Sequence, residues 1–344
     1  MNSFKNTFFL KNKFQNIFDT IIKLEDFFFR DDDVPLKNPI FITGMPRSGT
    51  TLLTHILHDT EKYGSFLYKD YPFPEIPLLW NKVNNLYYKN GEDQKRIHDD
   101  DLLINKDSPE NLDEFLWKGL FQNHFKEFDK LIDENFSNIE FEHSYIKSIK
   151  KVLFVRKKNQ YLAKNNYIIF RIKYLLKFIP SAKFIICVRN PNDTCYSLEK
   201  IHKRFLELNK IKKYKNFEKN FLHYEFGNSR RNPNISAESQ EIDNLWRMNK
   251  EFDGYMLQWI TIYDFIIKNY QNLFGKKILV LDYDGLRNDY PKEIKKISQF
   301  LNVDLDSKYL KFINKKSKEK KYNQFSERAE KIYEDLKNFD PYLT

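Results

Sequence analysis

Between Pro39 and Asp59 the chain passes from an unbroken apolar run, Ile40-Phe41-Ile42, to apolar residues spaced three and four apart, Leu52, Leu53, Ile56 and Leu57. That change of period predicts a short buried strand, a tight loop from Gly44 to Gly49, and a helix. The two patterns alternate again further on. Ile146, Ile149, Val152 and Leu153 predict a helix, a short strand ends at Tyr161-Leu162-Ala163-Lys164, and a helix from Tyr167 to Ile179 stops before Pro180. Lys183 to Val188 reads as the next strand and delivers Arg189 to a helix carrying Thr194, Ser197 and Leu198. Strand, helix and strand in succession predict a parallel βαβ unit.

Elsewhere the pattern is less regular. Gly64 to Pro74 holds too many prolines and glycines for a long element. Ser108 as N-cap with Pro109 at the first helical position predicts a helix start that places Glu110 and Glu114 on one face. Glu238 to Asn272 predicts one or two long helices, with Gly254 as a point of interruption. Ile278 to Asp284 predicts a late strand, followed by a helix from about Pro291 to Leu301. Residues 1–38 form an N-terminal extension whose Phe4, Phe8, Phe9, Phe14, Phe18, Phe27, Phe28 and Phe29 lie among lysines and asparagines. A helix packed on the domain is the default there, and a membrane-surface or homodimer helix is the functional alternative. Residues 39–310 form the main domain, and 311–344 a charged, helical tail.

Composition narrows the classes. At 41% hydrophobic and 17% aromatic residues over 344 positions, the chain has ample core material for a globular enzyme. A net charge of +10 suits a polyanionic ligand, but a chain rich in lysine and asparagine can owe that charge to base composition, so it counts for little. Cys187 and Cys195 lack metal-site or disulfide spacing, which predicts reduced thiols in a cytoplasmic protein and no metal. No stretch has the length of a transmembrane anchor, and the N-terminus has no signal-peptide pattern. A nucleic-acid partner is not expected.

The loop supplies the chemistry. Backbone amides at a helix start carry partial positive charge, and glycines at 44 and 49 let the chain close around an anion. Arg47, Ser48, Thr50 and Thr51 add donors. A nucleoside triphosphate loop would need Gly-Lys-Ser/Thr where this chain has Gly49-Thr50-Thr51. A P-loop kinase or ATPase stays open as the runner-up, with Asp282 at a strand end as the acid that could hold magnesium. A non-catalytic adaptor retaining the fold is a third reading.

The string Pro46-Arg47-Ser48-Gly49-Thr50-Thr51-Leu52 resembles the 5′-phosphosulfate loop of sulfotransferases that use 3′-phosphoadenosine 5′-phosphosulfate (PAPS), in the bacterial and tyrosylprotein-type branch. A second match lies downstream: Lys164 at a strand end, Pro180-Ser181-Ala182-Lys183-Phe184, Arg189, and Ser197 on the next helix. A closing segment of Tyr283, Leu286, Pro291 and Phe300-Leu301 is also similar to that family.

The resemblance implies a three-layer α/β/α fold with a central parallel sheet, and transfer of a sulfuryl group from PAPS to a hydroxyl or amine. It implies donor binding by Arg47, Ser48, Gly49, Thr50, Thr51, Leu52, Arg189 and Ser197, with Lys164 stabilising the leaving phosphate. The base is open. The family's acid falls near Tyr68, where Asp70 is the nearest carboxylate, while Glu114 lies in a Ser-Pro-Glu-x-x-x-Glu segment similar to bacterial members and His98 is a further candidate. The acceptor, whether a small molecule, a carbohydrate or a peptide, is not written in these motifs.

Overall fold

The computed structural model describes residues 15–87, 93–95, 102–120, 132–212, 214, 222–305 and 323–339. In chain order the elements up to the second motif are α1 (Gln15–Phe28), β1 (Ile40–Gly44), α2 (Thr50–His58), α3 (Pro77–Tyr87), β2 (Gln94–Lys95), β3 (Leu103–Ile104), α4 (Asp113–Leu120), α5 (Ile139–Arg156) and β4 (Leu162–Lys164). After them come α6 (Ile172–Phe178), β5 (Lys183–Val188), α7 (Pro191–Lys210), α8 (Ser239–Arg247), α9 (Glu251–Tyr270), β6 (Ile278–Asp282), α10 (Tyr283–Asn288), α11 (Tyr290–Leu301) and α12 (Ser326–Asn338). The chain forms two compact units, the first from 1–40, 54–126 and 136–165, the second from 41–53, 127–135 and 166–344.

The first unit is built on α5. Asn138 caps it by accepting from the Phe141 amide at 3.0 Å, and its inner face buries Phe141, Tyr145, Ile149, Val152 and Leu153. Trp117 of α4 packs on Phe141 and Tyr145, with ring centroids 4.7 and 5.2 Å away. Lys151 is buried and paired with Glu25 at 3.1 Å and Asp26 at 2.5 Å on α1, whose Phe18 packs with Ile76 and Trp80. The phenylalanines at 4, 8, 9 and 14 lie outside the described residues.

Ser108 and Pro109 do not start a helix. Tyr68 N–H donates to Ser108 C=O and Glu110 N–H to Phe66 C=O, both at 3.0 Å. The segment is extended against 66–68, with Leu67 and Pro109 bridged antiparallel, and α4 begins only at Asp113. Glu110 is therefore not on the helix that carries Glu114. Pairing with a distant segment satisfies the backbone groups that a local cap would have used.

The second unit holds parallel strands in the order β1-β5-β6, flanked by helices. Phe184 to Val188 pair in register with Ile278 to Asp282, and β1 and the last five residues of β5 are buried throughout, as expected of a sheet covered on both faces. The apolar run after Tyr167 is divided into a 3₁₀ turn, Asn166–Phe170, and α6.

Gly254 does not interrupt a helix. The break lies at Asn249, which is left-handed with φ 57°, while Gly254 is inside α9. A Cβ at Gly254 would stand 2.3 Å from the Trp246 indole nitrogen, so the glycine serves the close approach of α8 and α9. The tail helix α12 buries Ala329, Ile332, Tyr333 and Leu336.

Among the described residues no helix is long and apolar enough to cross a membrane.

Candidate functional site

The loop after β1 is shaped by three left-handed residues: Gly44 (φ 139°), Arg47 (φ 73°) and Gly49 (φ 96°). Two of them are glycines for steric as well as torsional reasons. A Cβ at Gly44 would sit 2.4 Å from the Cys187 carbonyl oxygen on β5, and one at Gly49 would sit 2.3 Å from the Tyr283 ring. The loop is tied down from within, as Ser48 Oγ donates to Met45 C=O at 2.6 Å. It is also tied to α9, where the Tyr263 hydroxyl accepts from Met45 N–H at 3.2 Å and donates to Cys187 C=O at 2.8 Å. Burial raises the Tyr263 phenol, which keeps its proton for that bond. Leu53 N–H donates to Gly49 C=O at 3.1 Å, so α2 begins at Thr50 and its first-turn amides lie at the loop's mouth.

The second motif meets the first inside this unit. Arg47 Nε donates to Ser197 Oγ on α7 at 3.0 Å, and Arg189 Nη1 donates to Arg47 C=O at 3.3 Å. Arg189 lies with its guanidinium carbon 5.0 Å from the Tyr283 ring centre, and its Nη2 reaches Asp193 at 3.3 Å. Its Nε is buried with no hydrogen-bond partner. A buried guanidinium N–H without an acceptor is costly, and an anion oxygen is the natural partner for it. A glycine cradle, helix-start amides, Arg47, Arg189 and Ser197 thus meet beside one loop, a donor set that fits the phosphate groups of a nucleotide.

Asp282 has a structural task. It caps α10, accepting from the amides of Asp284 and Gly285 at 3.0 Å each, and takes the Tyr333 hydroxyl at 2.6 Å. Burial pushes its carboxyl up, which disfavours the charge a magnesium ligand needs.

A sequence model of the Sulfotransferase family matches residues 39–227, more than half of the chain. The chain belongs to the sulfotransferase family.

Among curated relatives, the omega-hydroxy-beta-dihydromenaquinone-9 sulfotransferase Stf3 of Mycobacterium bovis and that of Mycobacterium tuberculosis are each 29% identical over 190 residues, covering 48% of this chain and 45% of theirs. The chain thus spans just under half the length of the curated relatives it matches. The crystal structure of sulfotransferase STF9 from Mycobacterium avium superimposes with a TM-score of 0.50 at 15% identity, over 90% of this chain and 79% of that one. That likeness concerns the fold, an α/β sulfotransferase fold with a central parallel sheet.

Set against this sulfotransferase frame, the second unit brings together Arg47, Ser48, Gly49, Thr50, Thr51, Leu52, Arg189 and Ser197. Asp70, Glu114 and Lys164 belong to the first unit, and His98 lies outside the described residues. Asp70 is buried with both oxygens engaged. Leu67 N–H donates to Oδ2 at 2.7 Å, and Arg156 Nη2 reaches Oδ1 at 2.5 Å and also contacts Oδ2. Glu114 is buried on α4 and accepts from Asn165 Nδ2 at 2.8 Å. The same amide reaches Asp113 at 3.2 Å, and Asp113 also accepts from Trp117, Tyr145 and Tyr161. Lys164 Nζ is 3.9 Å from Glu110 Oε1.

Sequence reasoning did not single out Tyr263 or Asp113, and no local signal marks either, since their partners are remote in the chain.

Proposed function

We propose that this sulfotransferase-family protein moves a sulfuryl group from PAPS to an acceptor hydroxyl or amine. The observation that carries the reading is the meeting of a lysine-free glycine loop with Arg47, Ser197 and Arg189 in one place. Loop amides, Arg47 and Ser48 would hold the 5′-phosphosulfate, and Arg189 and Ser197 the 3′-phosphate, so that donor charge is met by fixed donors that need no reorganisation. PAPS, when bound, supplies the activated sulfuryl group; the chain supplies alignment and charge stabilisation.

Lys164 is assigned to the leaving phosphate, and Asp70, Glu114 and His98 are the carried-over proton acceptors, each testable by its own variant. Cys187 and Cys195 are buried, free thiols, in keeping with a cytoplasmic protein. The mycobacterial relatives are named for a hydroxylated quinone lipid, so apolar alcohols are the first acceptor class to test.

Thermal unfolding with ligand tests the donor. Adenosine 3′,5′-bisphosphate should raise Tm and magnesium-ATP should not, because ligand that binds only the folded state stabilises it by mass action. Incubation with PAPS and acceptors should release adenosine 3′,5′-bisphosphate. Stabilisation by magnesium-ATP alone would favour a kinase or ATPase, and bisphosphate binding without any release would favour an adaptor.

A further inference from the structure

A cleft runs along the first residues of the loop, Gly44 to Pro46, and is walled by Tyr167, Phe170, Leu198, Tyr224 and Ile262. It encloses about 30 Å³, room for a water-sized group or two rather than a whole substrate. Among the described residues, one carboxylate lines it. Glu225, with its side chain 10% exposed, accepts from Asn166 Nδ2 at 3.0 Å through Oε1, and its backbone carbonyl accepts from the Tyr255 hydroxyl on α9 at 3.0 Å. Oε2 is buried with no hydrogen-bond donor, and His223 Nδ1 stands 3.6 Å from it, just beyond bonding distance. One oxygen is anchored by the Asn166 amide; the other pairs with the His223 imidazole across 3.6 Å and has no partner at hydrogen-bonding distance. Leaving such an oxygen without a close donor is unfavourable, and a hydroxyl brought into the cleft would relieve it.

Charge decides what the cleft admits. Burial pushes the Glu225 carboxyl up, but the neighbouring His223 and the Asn166 amide outweigh it and hold the group below the usual carboxylate value. An ionised carboxylate repels phosphate and sulfate and accepts a proton from a neutral alcohol. The aromatic and aliphatic walls favour an apolar skeleton behind that alcohol.

We infer that the cleft takes the hydroxyl-bearing end of an apolar acceptor and that Glu225 is the catalytic residue that removes its proton. This rests on the sulfuryl-transfer reading above. The acceptor oxygen forms a bond to sulfur, the bond from sulfur to the 5′-phosphate oxygen breaks with its electron pair leaving on adenosine 3′,5′-bisphosphate, and the acceptor proton ends on Glu225 Oε2. The base thereby gains a candidate in the unit that also carries the loop. Among the described residues, the titratable and charged groups facing Glu225 are His223 and Tyr224 on its own segment, Arg231 just beyond it, Tyr167 on the 3₁₀ turn and Tyr255 on α9.

The test compares benzyl alcohol, which is neutral in the assay, with 4-nitrophenol, which is ionised near neutral pH. Glu225→Gln retains an acceptor for Asn166 but removes the charge. It should lower transfer to benzyl alcohol by about 10²–10⁴-fold, lower transfer to 4-nitrophenol by less than about tenfold, and leave calorimetric affinity for adenosine 3′,5′-bisphosphate within about twofold. His223→Gln should move the acid limb of the benzyl alcohol profile to higher pH, because burial then pushes the carboxyl up unopposed by the imidazole. Independently of turnover, benzyl alcohol should protect Glu225 from carbodiimide coupling, read by peptide mass. If Glu225→Gln does not fold, the His223 variant and the protection experiment decide. Equal losses with both probes, no loss, no protection, or wild-type transfer to neither probe overturns the assignment. Absence of adenosine 3′,5′-bisphosphate binding by the wild type overturns the sulfuryl-transfer reading instead.

Discussion

The anion loop of the second unit and the acid-bearing segments of the first use polar residues in opposite ways. Beside the loop, Arg189 donates to the Arg47 carbonyl and to Asp193, both at 3.3 Å, while its buried Nε has no acceptor, and Arg47 Nε reaches Ser197 Oγ at 3.0 Å. In the first unit, Asp70 has both oxygens held by Arg156 and an amide, and Asp113 is met by four side-chain donors. Saturated polar groups fix a fold, whereas groups with capacity left over can take a ligand. The comparison sets a guanidinium N–H that is buried without an acceptor against carboxylates whose oxygens are already engaged.

The sharpest way to break it is at Asp70. Asp70→Ala strands the Arg156 guanidinium, which is 11% exposed, and should cost about 3–5 kcal/mol of unfolding free energy. Chemical denaturation reads this, and an unchanged midpoint would show that the acid is not structural.

Next in size is Gly49→Ala. Its left-handed φ and the 2.3 Å approach to Tyr283 together should cost about 2–4 kcal/mol in stability, from torsion plus overpacking. Adenosine 3′,5′-bisphosphate affinity should fall with it. Full affinity in this variant would mean that the loop does not cradle the ligand.

A third prediction concerns pH. His202 on α7 accepts from Gly227 N–H at 3.0 Å through Nδ1, and burial, aided by the Arg230 cation, pushes it from 6.5 down to about 4. The folded value is depressed, so the unfolded chain binds the proton first as pH falls. Stability is therefore intact above pH 6.5 and declines as pH drops from there towards 4, by at most about 3 kcal/mol. Denaturation across that range should show the slope, and His202→Asn should flatten it.

The loop was legible in the sequence because its strand, glycines and helix are consecutive, so each part is specified by its neighbours. Arg189 and Ser197 were legible through a family pattern, and the structure brings them to the loop. What was not legible depends on partners far along the chain. Ser108-Pro109 carries good local helix-start chemistry and loses to pairing with 66–68. Gly254 reads as a breaker, but its purpose is set by Trp246 on the preceding helix. Glu225 belongs to no motif, and its partners Asn166 and Tyr255 are 59 and 30 residues away.

The claim that Arg189 has capacity reserved for the donor's 3′-phosphate is tested by calorimetry of wild type and Arg189→Ala with adenosine 3′,5′-bisphosphate and adenosine 5′-monophosphate. The wild type should prefer the bisphosphate, and the variant should lose about ten- to a hundredfold of that affinity, the worth of one charged hydrogen bond, while monophosphate binding stays nearly unchanged. Equal wild-type affinity for the two nucleotides, or an equal loss of both in the variant, would contradict it.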